Sequence, residues 1–299
     1  MRHARTSLIL AGAVLALAVA AGSSAATTGT HTAPRQELPA LPTKPMASAN
    51  RARISAVVRE YLSQDLSKDE IPGLVIGIWS PTQGVYRASF GRADVKSASR
   101  PKLDSSFGIG SVSKTFTATV ILQLVDEGKL SLNRTVRAYL PGLARAYPAI
   151  GTQTIAQLLG MRSGLPECAD AAVKHVTNDP GRVWSANQLI ALGLRTEPVK
   201  PAGGRKSAYS NTNYVVLGQI AQAVTRTRFD RLVQQRLLEP LGLRHTVYPA
   251  PTDTGLPAPF THGYVGASGA EEIGHLGGTV EPGTDVTRWN RPGAMPPGC

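Results

Sequence analysis

The order of the hydrophobic patterns along this chain most constrains how it can fold. A buried-strand pattern over Gly73–Ser80 is followed by a turn over Pro81–Gly84 and a second strand over Val85–Arg92, which predicts a hairpin. From Thr115 onward the pattern becomes helical. Strands followed by a run of helices indicate an α+β architecture, in which an all-helical part is inserted into a sheet-bearing part.

Two kinds of signal predict the helices. Apolar residues that repeat at helical spacing predict amphipathic helices, and Gly128 is placed to end the second of them. Capping boxes, in which a hydroxyl and an amide side chain lie three residues apart, predict two helix starts. The periodic segments are 54–62, 116–125, 213–225 and 229–238, and the capping boxes are Thr154–Gln157 and Ser185–Gln188.

The first 26 residues have the composition of a secretory signal peptide. Arg2 and Arg5 begin it, an apolar run covers 8–21, and small residues offer cleavage after Ala25 or Ala26. The run is shorter than the ~20 residues that span a bilayer, although an uncleaved anchor is the alternative. We therefore expect residues 1–26 to be a signal peptide, and the mature protein to be secreted, associated with the cell envelope and without a stable membrane anchor.

Composition divides the rest of the chain into three parts. Residues 27–50 are rich in Pro, Thr and Ala, which predicts an extended linker. Residues 51–249 carry the strand and helix patterns and form the predicted domain. Residues 250–299 contain ten of the 30 Gly and seven of the 22 Pro, a level associated with irregular segments, and they carry no strand pattern.

Charge and cysteine content exclude several function classes. The chain has 32 Lys and Arg against 20 Asp and Glu, a net charge of +12, but no block of like charges and no phosphate loop. We therefore expect a solvated basic surface and no nucleic-acid partner.

No H-E-x-x-H or paired-cysteine spacing occurs, so we expect no metal and no cofactor. Cys168 and Cys299 could pair in an oxidising compartment, or Cys299 could stay free.

The strongest chemical signal is the segment Ser111-Val-Ser-Lys114 at a predicted helix start. Residues three apart on a helix share a face, so Ser111 and Lys114 are within reach of each other. A lysine whose pKa is lowered could take the serine proton, and a helix N-terminus favours an oxyanion. Ser99-Arg-Pro-Lys102 has the same spacing, but its proline argues against a helix. Ser111 also follows Gly110, which allows a substrate to approach the backbone closely.

A second candidate group is Tyr209-Ser-Asn211, in a loop before the predicted helix at 213. A tyrosine beside the lysine could relay a proton to a leaving group, and an Asn amide could donate to and accept from a substrate amide. The alternative is that Tyr209 is a packing residue and Asn211 a helix N-cap.

Five motifs in fixed order carry a family resemblance over about Ile54 to Tyr248. Together they resemble the penicillin-recognising serine hydrolases of the class C β-lactamase and D-alanyl-D-alanine carboxypeptidase group. The segments are 107–115, 122–130, 157–166, 209–214 and 239–242.

This resemblance implies a role for each candidate residue. Ser111 would be the nucleophile that forms an acyl-enzyme, Lys114 the base, Tyr209 the proton shuttle and Asn211 a substrate-amide contact. It implies a β-lactamase/transpeptidase-like α+β fold, with an antiparallel sheet flanked by helices and a separate helical region. It also implies hydrolysis of D-Ala-D-Ala peptides or β-lactams, with small-ester hydrolysis as an alternative. The partner would be a small-molecule or peptide substrate.

The chain departs from the family pattern in two places. Met161-Arg162 replaces the usual His-Thr before Ser163, and the third motif, whose strand backbone supplies an oxyanion donor, has only the weak textual candidate His275-Leu276-Gly277. The family's C-terminal strands are missing from the pattern, so we expect a truncated or out-of-pattern C-terminus. Losing one oxyanion donor costs about 10²–10³ in rate. A catalytically impaired or inactive relative that only binds envelope peptides is therefore the alternative function.

Overall fold

The computed structural model describes residues 40–64, 72–200, 207–250, 255–287 and 289. The predicted signal peptide and most of the predicted linker lie outside the described residues, so those predictions remain untested. Within these ranges, no helix combines the length and the apolar character needed to cross a membrane.

The described residues form one hairpin and a series of helices. The strands are β1 (Gly73–Ser80) and β2 (Gly84–Gly91). A 3₁₀ turn over Gly110–Val112 precedes the second helix, and a π turn over Gln234–Leu238 follows the tenth. The helices are α1 Ser48–Gln64, α2 Ser113–Asp126, α3 Val136–Tyr139, α4 Pro141–Ala146, α5 Pro148–Gly151, α6 Ile155–Leu159, α7 Cys168–Asn178, α8 Ala186–Thr196, α9 Asn211–Thr225, α10 Phe229–Val233 and α11 Ala267–His275.

The predicted hairpin is confirmed. β1 and β2 pair antiparallel, with Leu74 opposite Phe90 and Trp79 opposite Val85. The turn between them needs glycine, because Gly84 has a φ of +90° and a Cβ there would lie 2.4 Å from the Lys44 carbonyl oxygen. Within the part of the chain that the structure describes, these two strands are the whole sheet.

Helix α9 is the centre of the hydrophobic core. Its residues Val215, Val216, Leu217 and Ile220 are fully buried, and it packs against α2, α6 and α8. The facing side of α2 contributes Val120, Ile121 and Leu124, which are also fully buried. Burial of one such side chain contributes about 1.5–3 kcal/mol. This packing fixes the N-terminus of α9 beside the N-terminus of α2.

Local signals predicted several helix ends correctly. Both capping boxes are present: Thr154 caps α6 with Gln157, and Ser185 caps α8 with Gln188. Gly128 follows the Glu127 C-cap of α2 with a φ of +69°, the left-handed conformation that favours glycine at this position.

Other helices gave no readable signal. Helices α3, α4 and α5 are four to six residues long, too short to display a hydrophobic period, and prolines begin two of them. Helix α7 is capped by the carboxylate of Glu167, which accepts from the Ala169 N–H, rather than by the Ser, Thr, Asp or Asn that marks most starts. Helix α9 begins at Asn211, two residues before the predicted start.

The segment after residue 250 contains structure that the sequence patterns did not indicate. Helix α11 lies there, and none of its nine residues is fully buried, although Ala270 and Ile273 are half-buried. The backbone of Phe260 bridges to Ser106, and the His262 N–H donates to the Ala93 carbonyl at 2.8 Å. This segment therefore packs beside the loop that leads to Gly110–Val112. Helix α1 begins at Ser48, so the prediction of an extended linker over 27–50 is wrong for its last three residues. The predicted domain limits at 51, 249 and 250 stay predictions.

Candidate active site

Ser111 lies in a tight turn immediately before α2, not in the helix itself. The 3₁₀ turn Gly110–Val112 leads directly into Ser113, so the Ser111–Lys114 segment lies at the start of α2 as expected, with Ser111 two residues before the first α-helical residue. Gly110 has a φ of +49°, and nothing lies within 4 Å of a Cβ built there. Backbone conformation rather than crowding therefore selects glycine before Ser111. Ser111 itself is exposed to solvent.

Lys114 contacts the Ser111 hydroxyl, as the spacing predicted. Its Nζ lies 3.0 Å from Ser111 Oγ, and the residue is only 7% exposed. Protonated lysine has three N–H donors, whereas the neutral amine has two and a lone pair. In the neutral form, that lone pair can accept the Ser111 proton at this distance.

Tyr209 reaches the same serine oxygen from the loop before α9. Its hydroxyl lies 2.6 Å from Ser111 Oγ, and its ring centroid lies 5.0 Å from Lys114 Nζ. The backbone beside it is held by a bond from the Ala208 N–H to the Met161 carbonyl at 2.9 Å. Tyr209 is 58% exposed and bonds to Ser111, so the alternative that it is a packing residue is wrong. Ser111 Oγ thus has two possible proton partners.

Asn211 completes the cluster as the first residue of α9. Its Oδ1 accepts a hydrogen bond from Lys114 Nζ. The alternative that Asn211 is the N-cap is wrong, because Ser210 occupies that position. Ser210 is itself held by a bond from its Oγ to the Pro166 carbonyl at 2.9 Å. The structure therefore brings together all four residues predicted from the sequence: Ser111, Lys114, Tyr209 and Asn211.

Sequence reasoning missed Glu167, which contacts Asn211 from the far side. One carboxylate oxygen accepts from the Asn211 backbone N–H at 2.8 Å, and the other accepts from Asn211 Nδ2 at 3.0 Å. The only available signal was its place directly after the Ser163–Pro166 motif and before α7. The departure at Met161-Arg162 leaves this motif in place, because Ser163 is buried and donates to Asn213 Oδ1.

Burial and neighbouring charges raise the pKa values of two side chains near the cluster, Tyr214 and Asp170. Burial raises the pKa of the Tyr214 phenol above its ordinary value, and the neighbouring Tyr209 adds to the shift. Burial also raises the pKa of the Asp170 carboxyl, and the negative charges of Glu167, Glu272 and Glu197 raise it further. Tyr214 therefore stays neutral beside Lys114, 5.8 Å from its Nζ.

Neither a metal site nor the third motif is formed in the described ranges. No group of three or more His, Cys, Asp or Glu residues there could hold a metal ion. His275 is the last residue of α11, and Gly277 follows with a φ of +80°, so His275–Gly277 ends a helix and does not lie on a strand. Cys168 is buried at the start of α7, whereas Cys299 lies outside the described residues, so their pairing stays a prediction.

A hydroxyl flanked by a buried amine and a phenol, in this order along the chain, is the arrangement that the family resemblance implies. Residues 56–289 match the family described as Beta-lactamase. The chain belongs to the β-lactamase family. This assignment confirms the resemblance and the expected β-lactamase/transpeptidase-like α+β fold, and it makes the chain a member of a serine hydrolase family.

This β-lactamase-family chain is similar to two bacterial proteins over about two thirds of its length. It is 31% identical over 190 residues to Protein flp of Staphylococcus aureus (strain MW2), covering 62% of this chain and 37% of that protein. It is 28% identical over 199 residues to the D-alanyl-D-alanine-carboxypeptidase/endopeptidase AmpH of Escherichia coli (strain K12), covering 66% and 51% of the two chains. The chain thus spans about a third to a half of the length of these two relatives.

A solved structure supports the same fold. The D-stereospecific amidohydrolase from Streptomyces sp. superimposes with a TM-score of 0.63 at 27% identity, covering 83% of this chain and 66% of that one. The β-lactamase-family fold is therefore present over most of the described residues.

Proposed function

We propose that this chain is a serine hydrolase that forms a covalent acyl-enzyme through Ser111 Oγ. The observation that carries the proposal is that this one oxygen lies 3.0 Å from Lys114 Nζ and 2.6 Å from the Tyr209 hydroxyl. A serine hydroxyl becomes a nucleophile when an adjacent base takes its proton, and these distances are within hydrogen-bond reach.

The proposed reaction has two steps that restore the enzyme. Lys114 Nζ takes the Ser111 proton as Oγ bonds to the substrate carbonyl carbon. The carbonyl–nitrogen bond then breaks, and Tyr209 passes a proton to the departing amine and regains one from Lys114. In the second step, a water molecule attacks the carbonyl carbon of the acyl ester and gives up a proton to Lys114 or Tyr209. The bond between the acyl carbon and Ser111 Oγ then breaks, Oγ takes back that proton, and the product leaves as a carboxylic acid.

We infer D-configured peptides or β-lactams as the substrate class. The support is similarity: AmpH is a D-alanyl-D-alanine carboxypeptidase/endopeptidase, and the similar Streptomyces structure is a D-stereospecific amidohydrolase. One N–H of Asn211 Nδ2 is directed to Glu167, which leaves the second for a substrate carbonyl. Hydrolysis of small esters is the alternative within the same chemistry.

We further propose that the protein acts after export, at the cell envelope. The support is the pattern of residues 1–26, with two arginines, an apolar run and small residues at 25 and 26. N-terminal sequencing of protein recovered from a secreting host tests this, and a first residue at 26 or 27 is expected. An intact Met1 in the recovered protein contradicts it.

A second candidate function is binding without efficient turnover. The observation that favours it is that His275–Gly277 ends helix α11, so within the described ranges no strand carries the family's third motif. Absence of one oxyanion donor lowers the rate about 10²–10³-fold. Such a protein would still acylate slowly or hold an envelope peptide.

A substrate panel separates these functions. The full chain is incubated with a D-Ala-D-Ala peptide, a chromogenic β-lactam, a D-amino acid amide and a p-nitrophenyl ester, beside Ser111→Ala. Hydrolysis of a D-configured substrate that Ser111→Ala abolishes supports the main proposal, and hydrolysis of the ester alone supports the esterase. Saturable binding of the peptide with no Ser111-dependent product supports the binding function and overturns the enzyme.

A further inference from the structure

We propose that Glu167 is a positioning residue of the active site, which fixes the Asn211 side chain and, through it, Lys114. The inference rests on the proposed function. Glu167 contacts neither Ser111 nor Tyr209 through any hydrogen bond in the described residues, so its effect on the nucleophile passes through Asn211.

The Glu167 carboxylate joins the N-termini of two helices. Its Oε1 accepts from the Ala169 N–H of α7 at 2.7 Å and from Asn211 Nδ2 at 3.0 Å, and its Oε2 accepts from the Asn211 N–H of α9 at 2.8 Å. Two of these donors are backbone N–H groups in the first turn of a helix, where a negative charge is favoured. The carboxylate is therefore held by three donors from two elements.

This arrangement dictates which way the Asn211 amide points. A carboxylate only accepts hydrogen bonds, and the Lys114 amine has an N–H to donate in both its neutral and its protonated form, so the Asn211 NH₂ faces Glu167 and its Oδ1 faces Lys114. The reversed amide would bring two donors together on one side and two acceptors on the other. Bonds to an ionised group are also stronger than neutral ones.

The consequence reaches the nucleophile along one line of hydrogen bonds. Glu167 holds Asn211, Asn211 Oδ1 holds Lys114 Nζ, and Nζ lies 3.0 Å from Ser111 Oγ. Without Glu167, Asn211 Oδ1 loses its fixed position, and Lys114 loses the acceptor that directs its amine at Ser111. Small displacements of a base from its proton lower reaction rates steeply.

Glu167→Asp separates positioning from helix capping. Aspartate keeps the charge and is a good N-cap, so it can still accept from the Ala169 N–H, but it is one methylene too short to hold Asn211 as well. Glu167→Gln keeps the length of the side chain but replaces one accepting oxygen with an NH₂ group, which cannot accept from the N–H donors that face it. Glu197→Gln is the matched control. It also removes one negative charge near Asp170, but Glu197 forms its ion pair with Lys200 instead of holding Asn211.

The kinetic test measures the rate of acylation by a fluorophosphonate in these variants and in Asn211→Ala. We expect Glu167→Asp and Glu167→Gln to slow acylation roughly 10- to 100-fold, with Glu197→Gln within about threefold of wild type. In the Asn211→Ala background, Glu167→Gln should add less than about threefold, because coupled residues are non-additive. Equal effects of Glu167→Gln in both backgrounds overturn the positioning role.

A second readout does not depend on activity. The side-chain ¹⁵N–¹H₂ signals of Asn211, assigned by comparison with Asn211→Ala, report its hydrogen bonds directly. We expect both signals to shift in Glu167→Asp while the protein stays folded. If the Asn211 signals of Glu167→Asp coincide with those of wild type, the inference is overturned. If they shift as expected but the wild type forms no adduct with the fluorophosphonate, only the proposed function is overturned.

Discussion

The hydroxyl groups of Ser111 and Tyr209 lie 2.6 Å apart although 98 positions separate them in the chain. Their meeting follows from the packing of α9 against α2, which places the loop before α9 over the turn before α2. Lys114, the second residue of α2, lies with its Nζ 5.0 Å from the centre of the Tyr209 ring. The core of the helical region therefore sets the distance between the nucleophile and its proton partners.

Tyr209→Phe is expected to impair amide hydrolysis far more than reaction with a fluorophosphonate. The variant keeps the ring beside Lys114 but removes the hydroxyl next to Ser111 Oγ. An amine leaving group needs a proton, worth about 10²–10⁴ in rate, whereas fluoride departs without one. Rates with a D-amino acid amide and with the probe measure the difference.

The matched control for this prediction is Tyr214→Phe. The Tyr214 hydroxyl donates to the Leu159 carbonyl at 3.3 Å and not to Ser111. We expect its rates to stay within about threefold of wild type for both substrates. Equal losses for amide and probe in Tyr209→Phe would argue against proton relay by Tyr209.

Lys114→Arg is expected to abolish acylation while keeping a positive charge at this position. Arginine is not deprotonated at usable pH, so it cannot accept the Ser111 proton. The loss should be at least about 10²–10⁴-fold in the rate of adduct formation. Lys102→Arg, in the segment with the same S-x-x-K spacing, is the control and should react at the wild-type rate. Wild-type acylation by Lys114→Arg would exclude this lysine as the base.

Gly164→Ala is expected to destabilise the fold because two effects act together. Gly164 has a φ of +73°, and a Cβ there would lie 2.2 Å from the Lys200 carbonyl oxygen. Gly128→Ala provides a matched control, since Gly128 has a φ of +69° and nothing within 4 Å of its Cβ position. Left-handed strain alone costs about 1–2 kcal/mol, so Gly164→Ala should cost more than Gly128→Ala in urea unfolding. An equal loss of unfolding free energy in the two variants would mean that the Lys200 backbone moves away from the added Cβ without a measurable loss of stability.

Stability should fall at acid pH partly through Glu127. Hydrogen bonds from Arg236 and then Lys129 lower the pKa of the Glu127 carboxyl from its usual 4.5 to about 2. A depressed pKa in the folded state contributes stability above pH 4.5 that is lost as pH falls towards 2. Because the pair is partly exposed, the contribution should stay below about 1 kcal/mol.

The comparison of wild type with Glu127→Gln measures this contribution. Glu127→Gln should melt slightly lower at pH 7, and the difference should disappear as the pH approaches 2. Glu239→Gln, another surface carboxylate near the π turn, is the control and should show a smaller pH-dependent difference. A melting difference for Glu127→Gln that persists unchanged at pH 2 would contradict the pKa shift.

Sequence patterns predicted the hairpin, the capping boxes and the contact between Ser111 and Lys114, because each depends on local signals. A hydroxyl and an amide three apart define a helix start, and a serine and a lysine three apart define a shared face. The partnership of Ser111 with Tyr209 came from the ordered motifs rather than from spacing, since no local rule joins residues so far apart.

The sequence could not predict what depends on tertiary contacts. Glu167 became visible as a partner of Asn211 only when α7 and α9 were placed side by side. Helix α11 has no fully buried residue, and its glycines weaken its helix propensity. The 3₁₀ turn at Ser111 likewise depends on the left-handed conformation of Gly110, which a helical period does not reveal.

The most direct test of the account is the intact mass of the protein after prolonged exposure to a fluorophosphonate. Wild type and Ser99→Ala should each gain one phosphonyl group, located on Ser111 by peptide mapping, and Ser111→Ala should gain none. An adduct of equal yield in Ser111→Ala, or none in folded wild type at saturating probe, would contradict the claim that Ser111 is an activated nucleophile.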